Sequence, residues 1–241
     1  MDILYDTFSI YSTAVITYIS CSILSYFIDT NQFFAENKIK NRTKQEYQAL
    51  YLKCIPNVSK NILLYIFPYI FILLYTQKQI YGDYQIYDYD YKILNLLKLS
   101  FNGILIYIIT DIVFYHTHRL MHTKYLYNYH KTHHEFKNPI SISALYMHPL
   151  DLYVSNLSPI AIASILLNLD IFSNKLNIII QISYTILVSH NGYKQRNIHN
   201  IHHTLFKYNF GLTGHKTSMD TLYDTEFNEP LIKIIDQKKH K

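Results

Sequence analysis

Histidine is the residue whose type and spacing point most directly to chemistry in this 241-residue chain, which contains 13 of them. Three motifs occur in order: His118-Arg-Leu-Met-His122, His130-Lys-Thr-His133-His134 and His199-Asn-Ile-His202-His203. Residues three and four apart share one face of a helix, so each motif is expected to aim its imidazoles at one point. Surface histidines, the alternative, would need no such phasing. The spacing therefore indicates metal ligands.

The number of histidines favours two metal ions over one. Imidazole is a common ligand of iron, zinc, copper and nickel. A structural zinc ion is closed by four ligands, whereas the three motifs offer eight histidines. The Glu-x-x-His motif of helical-bundle di-iron enzymes does not occur in this sequence. The expected site is thus a dimetal centre made mostly of histidine.

Apolar segments must position these motifs. The uncharged segment from Thr7 to Ile28 is long enough, at about 1.5 Å per residue, to cross a hydrocarbon core of ~30 Å. It is expected to be a retained anchor, because Asp2 and Asp6 stand where a signal peptide has basic residues. The further predicted segments are Asn61 to Gln77, Ile93 to Tyr115, Leu152 to Leu169 and Leu176 to Ser189. The last two either span the membrane or form a shallow hairpin.

The charges between these segments predict an orientation. Residues 29 to 60 contain six Lys and Arg residues, whereas residues 79 to 91 contain three Asp and no basic residue. Cytoplasmic loops of membrane proteins have an excess of Lys and Arg. The first loop is therefore expected to face the cytosol, together with residues 116 to 151 and 190 to 241, which contain the histidine motifs.

The composition excludes other classes of protein. A hydrophobic fraction of 49% with 16% charged residues excludes a disordered chain. The net charge of +5 has no basic stretch that could follow a phosphate backbone, so no nucleic-acid partner is expected. Cys21 and Cys54 form neither a disulfide framework nor a metal-binding pair. A soluble all-helical protein with buried apolar helices stays open as the alternative to a membrane protein.

The expected fold is an all-α integral membrane bundle of about three to five membrane helices. A cytosolic helical cap is expected to hold the histidine-rich dimetal site. Three regions are predicted: N-terminal membrane helices and loops in residues 1–98, a domain with the histidine motifs in residues 99–225, and a basic C-terminal tail in residues 226–241.

Further residues around the motifs match a known family. The matching elements are Tyr129 and Glu135-Phe136 beside the second motif, Ala144-Leu-Tyr-Met-His148-Pro149-Leu-Asp151, His190-Asn-Gly-Tyr193, Tyr208-Asn-Phe-Gly211, and Met219-Asp220-Thr-Leu-Tyr-Asp-Thr225. From Phe101 to Thr225 the chain resembles the fatty acid hydroxylase superfamily, which contains methylsterol oxidases, sterol desaturases and fatty-acid hydroxylases.

This resemblance implies an oxygen-activating membrane enzyme that hydroxylates or desaturates a C–H bond of a sterol or fatty acyl lipid. It implies two non-haem Fe ions as cofactors and O2 as co-substrate. Carried over position by position, the metal ligands are His118, His122, His130, His133, His134, His148, His190, His199, His202 and His203. For His148 and His190 the resemblance leaves open whether the side chain binds a metal or supports a ligand.

Such a reaction needs two electrons from outside the chain. The sequence contains no Rossmann glycine pattern, flavin motif or haem-carrier domain. The resemblance implies a membrane electron donor of the cytochrome-b type with its reductase, a lipid substrate that enters from the bilayer, and a location in the endoplasmic reticulum.

Several carboxylates could support the ligands. Asp111, Glu135 and Asp151 could each accept a hydrogen bond from the second ring nitrogen of a histidine. Alternatively, Asp111 caps the membrane boundary, and Glu135 and Asp151 are solvated charges. Asp220 stands at the acidic position of the family's tryptophan-aspartate element, in which Met219 replaces the tryptophan. The remaining histidines are weaker candidates: His116, His215 and the tail residue His240.

Three other functions remain possible at the level of sequence. One is a metal-dependent membrane hydrolase, which would need no electron donor. Another is a metal transporter or store, which would place histidines inside the membrane segments. The third is a catalytically inactive, metal-binding relative, which the missing tryptophan suggests.

Overall fold

The fold is known from a computed structural model that describes residues 2–82, 92–194, 198–212 and 218–227. In these ranges the chain is helical and contains no strand. The long helices are α1 (Ile3–Thr30), α2 (Lys44–Lys60), α3 (Phe67–Tyr81) and α4 (Lys92–Met121). The shorter ones are α5 (Tyr127–His130), α6 (Pro149–Asp151), α7 (Ser158–Leu166), α8 (Ile171–Tyr184), α9 (Ile198–Leu205) and α10 (Met219–Leu222).

Local sequence signals fix where the long helices begin and end. The Asp2 side chain caps α1 by accepting a hydrogen bond from Leu4 N at 2.9 Å. Thr43 and Glu46 form a reciprocal capping box at the start of α2. Gly82, with φ of +79°, ends α3 in a conformation that favours glycine.

Three π-helical stretches interrupt or extend the bundle helices. Asn61–Ile66 joins α2 to α3, Leu152–Leu157 joins α6 to α7, and Thr185–Ser189 extends α8. The first is stabilised by Asn61, whose Nδ2 donates to Leu145 O at 2.8 Å and to Met147 O at 3.0 Å. Because π-turns widen a helix and recur at functional sites, the space between these stretches is a candidate for a functional site.

Among the residues that the structure describes, five helical segments are long and apolar enough to cross a membrane: Ile3–Thr30, Lys44–Tyr81, Leu97–Met121, Pro149–Leu166 and Ile171–Ser189. They confirm the five predicted apolar segments. Their outward side chains are exposed, for example Phe8 at 62%, Ile16 at 65% and Leu63 at 66%. Such a continuous apolar exterior suits lipid rather than water, which favours the membrane bundle over the soluble alternative.

One boundary differs from the prediction. Residues 44 to 60 were expected in a loop, but they form α2 and continue into α3. The helix is amphipathic: Tyr47, Tyr51, Cys54 and Val58 follow each other at helical spacing and are buried, whereas the charged residues lie on the other face. The prediction failed because it counted charges rather than their periodicity.

The packing brings three polar segments to one end of the bundle. α1 packs against α3 and α8, and α4 packs against α7. Hydrogen bonds join the loop of residues 31–43 to the other two segments: Lys38 Nζ donates to Asn191 O at 2.6 Å, and an Arg42 amino group donates to Asn138 O at 2.9 Å. Residues 31–43, 122–148, 190–194 and 198–212 thus form a polar cap. The acidic segment of residues 83–91 and most of the basic tail lie outside the described residues.

Candidate metal centre

Within the described residues nine histidines converge as two groups, eight of them in the polar cap and His118 near the end of α4. Within each group, one ring nitrogen per residue lies within 4.8 Å of those of all the other members. The first histidine group comprises His118, His122, His130, His134 and His202. The second histidine group comprises His133, His190, His199 and His203.

The two His-x-x-His-His motifs each divide between the groups, which corrects the expectation that a motif aims at one point. His130 and His134 belong to the first histidine group, but His133 belongs to the second. In α9 the pattern is reversed: His199 and His203 belong to the second group. Residues four apart point in nearly the same direction, whereas adjacent residues differ by about 100°. Each motif therefore serves two sites at once.

The groups touch each other. The ring centroids of His134 in the first group and His203 in the second lie 4.7 Å apart, and those of His130 and His133 lie 5.5 Å apart. Within the first group, His202 Nε2 lies 2.9 Å from His122 Nε2 and 3.2 Å from His134 Nε2. Nitrogens this close, all turned inward, form a pair of adjacent donor sets of the kind that a dimetal site needs.

Backbone carbonyls and a carboxylate orient the first histidine group. His118 Nδ1–H donates to Phe210 O at 2.8 Å, and His202 Nδ1–H donates to Tyr208 O at 2.8 Å. His130 Nδ1 lies 2.8 Å from Asp151 Oδ2. An acceptor at Nδ1 fixes the tautomer and leaves Nε2 with its lone pair for a metal.

Two aspartates hold the loop that supplies these carbonyls. Asp220 accepts from Phe210 N at 2.8 Å and from Gly211 N at 2.7 Å. Asp111 accepts from Leu212 N at 3.2 Å. A Cβ on Gly211 would lie 2.7 Å from Asp220 Oδ2, so the loop fits the carboxylate only with glycine there. Asp111 therefore supports the histidines through the backbone, not by the direct hydrogen bond to a ring nitrogen that was one of the two expectations for it.

A backbone carbonyl also orients a ring of the second histidine group. His190 Nδ1–H donates to Thr185 O at 3.0 Å. The buried Nδ1 of His133 has no hydrogen-bond partner within the described ranges. His190 Nε2 lies 3.4 Å from His133 Nε2, so the two face each other across the site.

The other predicted residues lie apart from both groups. His148 is exposed, and its Nδ1 accepts from Leu150 N at 3.1 Å as the cap of α6. Glu135 pairs at the surface with Lys53 and accepts from the Tyr146 hydroxyl at 2.9 Å. His116 is exposed beside Tyr223. His215 and His240 lie outside the described residues.

Asp151 is the one carboxylate of the three that meets a histidine directly. It is fully buried, and its second oxygen accepts from the Ser155 hydroxyl. The Tyr208-Asn-Phe-Gly211 element matched the family, but its residue types did not indicate that the carbonyls of Tyr208 and Phe210 orient histidines, since any residue type supplies a carbonyl. Their role was visible only once the loop was folded against α4.

Burial keeps the cap histidines neutral. Desolvation lowers the pKa of His122 to about 3 and that of His190 to about 4. Burial and neighbouring imidazoles hold the pKa of His133 and of His203 well below its usual range. A neutral imidazole is the form that binds a metal, so these side chains are prepared for ligation near neutral pH.

An apolar cavity leads from the bundle interior to the histidines. It ends on members of both groups, including His118 and His190, and begins between α1, α3 and α8 at residues such as Ala14, Ile70 and Ile178. All three π-helical stretches contribute to its wall. Apart from histidine, its lining contains no charged side chain. The cavity therefore suits a hydrocarbon group at its far end.

A second opening reaches the first histidine group from the cap surface. It is lined by Arg119, His122, Tyr127, Lys207 and neighbouring residues. His122 is the only member of either group that is not fully buried. The centre thus has one apolar and one basic approach.

Comparison with known proteins agrees with this geometry. A family model described as fatty acid hydroxylase matches residues 103–225, just over half of the chain. Fatty acid hydroxylase domain-containing protein 2 of Homo sapiens is 30% identical over 125 residues, which cover 48% of this chain and 37% of that protein. The chain thus spans little more than a third of the human relative. No solved structure matches it.

Two further relatives are named for sterol oxidation. Methylsterol monooxygenase 2-2 of Arabidopsis thaliana is 29% identical over 127 residues, 52% of this chain and 45% of that protein. A protein of Dictyostelium discoideum, provisionally named a methylsterol monooxygenase, is 24% identical over 234 residues, 91% of this chain and 84% of its own length. With the family model matched across all the histidine motifs, the chain belongs to the fatty acid hydroxylase family.

Proposed function

We propose that this protein is a membrane-bound di-iron oxygenase that hydroxylates or desaturates a C–H bond of a sterol or fatty acyl lipid. One observation carries the proposal: two adjacent histidine groups close the end of an apolar cavity inside a membrane bundle. The names of the relatives, fatty acid hydroxylase and methylsterol monooxygenase, support lipid oxidation as the reaction class.

The donor set fits two transition-metal ions. The nine histidines of the two groups are the proposed ligands, and His148 is the one candidate that stays outside them. The Nε2 of His118 is buried without a hydrogen-bond partner among the described residues. A buried polar atom without a partner costs free energy, and a metal ion bound to Nε2 would remove that cost. Imidazole suits iron, and bound iron would supply the activation of O2.

The chain itself would bind and orient the lipid. Residues of α1, α3 and α8 would hold the hydrocarbon part, while the buried cap would exclude water from the reacting carbon. His118, His130 and His202 would be kept in one tautomer by their Nδ1 acceptors. The reacting carbon would thus meet a fixed and dry donor set.

The electrons would come from a separate protein. We propose a cytochrome-b-type donor with its reductase, a cap that faces the cytosol, and residence in the endoplasmic reticulum. The basic residues of the cap loops support the cytosolic orientation by the positive-inside rule.

Elemental analysis and isotope labelling would test this function. Detergent-purified protein is expected to contain about two irons per chain, one for each histidine group, and less in a His133→Ala variant. With lipid extract, a reductant and 18O2, the wild type should hydroxylate a lipid with one labelled oxygen atom or introduce a double bond, and both activities should require O2.

Other outcomes would overturn the proposal. Zinc in place of iron, with a lipid cleaved in the absence of O2 and reductant, would identify a hydrolase. Wild-type protein without bound metal and without O2 consumption would identify an inactive relative.

A further inference from the structure

The segment that follows His190 is fastened to the loop between α1 and α2. Ile39 N–H donates to Gly192 O at 2.9 Å, and Lys194 N–H donates to Asn37 O at 2.7 Å. Lys38 and Tyr193 form an antiparallel bridge between these two bonds. The loop therefore lies alongside residues 191–194 for their whole length.

A buried lysine stands at the centre of this junction. Lys38 is 5% exposed; its Nζ lies 2.7 Å from Asp29 Oδ1 and donates to Asn191 O at 2.6 Å. The same ammonium group lies 3.8 Å from the ring centroid of Tyr193. Asp29 is 2% exposed, and its other oxygen accepts from the Tyr51 hydroxyl at 3.0 Å. A buried ion pair is tolerated when its remaining hydrogen bonds are satisfied, as they are here.

Residues 191–194 connect this junction to the second histidine group from two sides. Asn191 directly follows His190. Tyr193 O accepts from Asn200 Nδ2 at 3.2 Å, and Asn200 lies in α9 between His199 and His203. A shift of residues 191–194 would thus displace His190 directly and would act through Asn200 on α9, which holds His199 and His203. His202 of the first histidine group lies on the same helix, but its ring is held separately by Tyr208 O.

The first histidine group does not depend on this junction in the same way. His118 and His202 are oriented by the loop of residues 208–212, which Asp220 holds. His130 is oriented by Asp151. The two groups share α9, but the hydrogen bonds that orient His118, His130 and His202 come from residues outside this junction.

We infer that Lys38 is a positioning residue for the metal ion of the second histidine group. Its ammonium group fixes residues 191–194 against α1, and through them His190 and α9. The inference rests on the proposed metal binding. It assigns a role at the centre to a residue outside the matched range of residues 103–225, within which all nine histidines lie.

Anaerobic titration with Co²⁺ would test the inference on the full-length, metal-free protein in detergent. Co²⁺ bound to imidazole gives visible absorption bands, and its amount is checked by elemental analysis. The wild type should bind one Co²⁺ per group. In a Lys38→Met variant, Co²⁺ should bind to the first histidine group with unchanged affinity. Its affinity for the second histidine group should fall at least about tenfold, which is the effect of losing a residue that supports a ligand.

A double variant separates positioning from the cost of an unpaired buried charge. Asp29→Asn combined with Lys38→Met removes both charges, so it should fold even if the single variant does not. It still lacks the ammonium group that donates to Asn191 O, so the affinity of the second histidine group for Co²⁺ should remain low. Lys40→Met, an exposed lysine in the same loop, is the control and should bind both ions normally.

Three results would overturn the inference. One is a double variant that binds both ions with wild-type affinity. Another is a folded variant in which both histidine groups lose Co²⁺ affinity equally, which would mean that Lys38 supports the whole cap. The third is a wild type that binds no Co²⁺ at all, which alone would also contradict the proposed function.

Discussion

The two histidine groups share their sequence motifs but differ in how the chain supports them. In the first group, three rings have an acceptor at Nδ1: two carbonyls and the carboxylate of Asp151. In the second, His190 Nδ1–H donates to Thr185 O. Each group also has a ring whose buried Nδ1 has no hydrogen-bond partner within the described ranges, His134 in the first and His133 in the second. The difference indicates that ligand identity alone does not make two metal sites equivalent, because the groups behind the ligands set their rigidity.

Replacing each of two adjacent histidines in turn should have the largest effect on the difference between the two groups. His202→Ala should empty the first histidine group, and His203→Ala should empty the second, because these neighbours point into different groups. Each should weaken the affected metal by more than the roughly 100-fold that losing an outer support costs. Co²⁺ titration of both variants would check this. If both lost the same ion, the division of the motif would be wrong.

Removing a support of the first group should have a smaller effect. Asp151→Ala deletes the acceptor of His130 Nδ1, so the metal affinity of the first group should fall about 10- to 100-fold while that of the second is unchanged. Glu135→Ala is the matched control, because this carboxylate faces the surface beside the same motif. An equal loss in both variants would contradict the assigned role of Asp151.

Acid should destabilise the metal-free protein. Burial lowers the pKa of His122 to about 3 and that of His190 to about 4, whereas the unfolded chain binds protons from about pH 6.5. The unfolded state then holds more protons, so stability falls as the pH drops from about 6.5 towards 4. Thermal unfolding in detergent across this range would measure it. A constant midpoint between pH 7.5 and about 4.5 would contradict the burial of neutral histidines.

The surface pair of Lys53 and Glu135 should matter least. Both side chains are about half exposed, so solvent screens their attraction. Lys53→Met should change the free energy of unfolding by no more than about 1 kcal/mol and leave both metal affinities intact. A larger loss would mean that the position of His134 depends on this pair.

The membrane helices and the candidate ligands could be predicted from the sequence because each rests on a short-range pattern. Apolar length predicted the five spans, and histidine spacing predicted eight of the nine histidines that converge within the described residues; His190 was predicted from the family resemblance. The division into two groups was missed, although about 100° between adjacent helical residues implies it. The supporting roles of Tyr208 O and Lys38 could not be predicted from the sequence, because they depend on contacts between distant segments.

The three π-helical stretches have a consequence for how relatives of this protein differ in length. A π-turn closes its hydrogen bond over one residue more than an α-turn, so a relative with a regular α-helix there needs one residue fewer. Single-residue gaps in alignments of the family should therefore fall inside the helices, near Asn61–Ile66, Leu152–Leu157 and Thr185–Ser189. Because each stretch lines the cavity, such gaps would mark relatives whose cavities have a different shape.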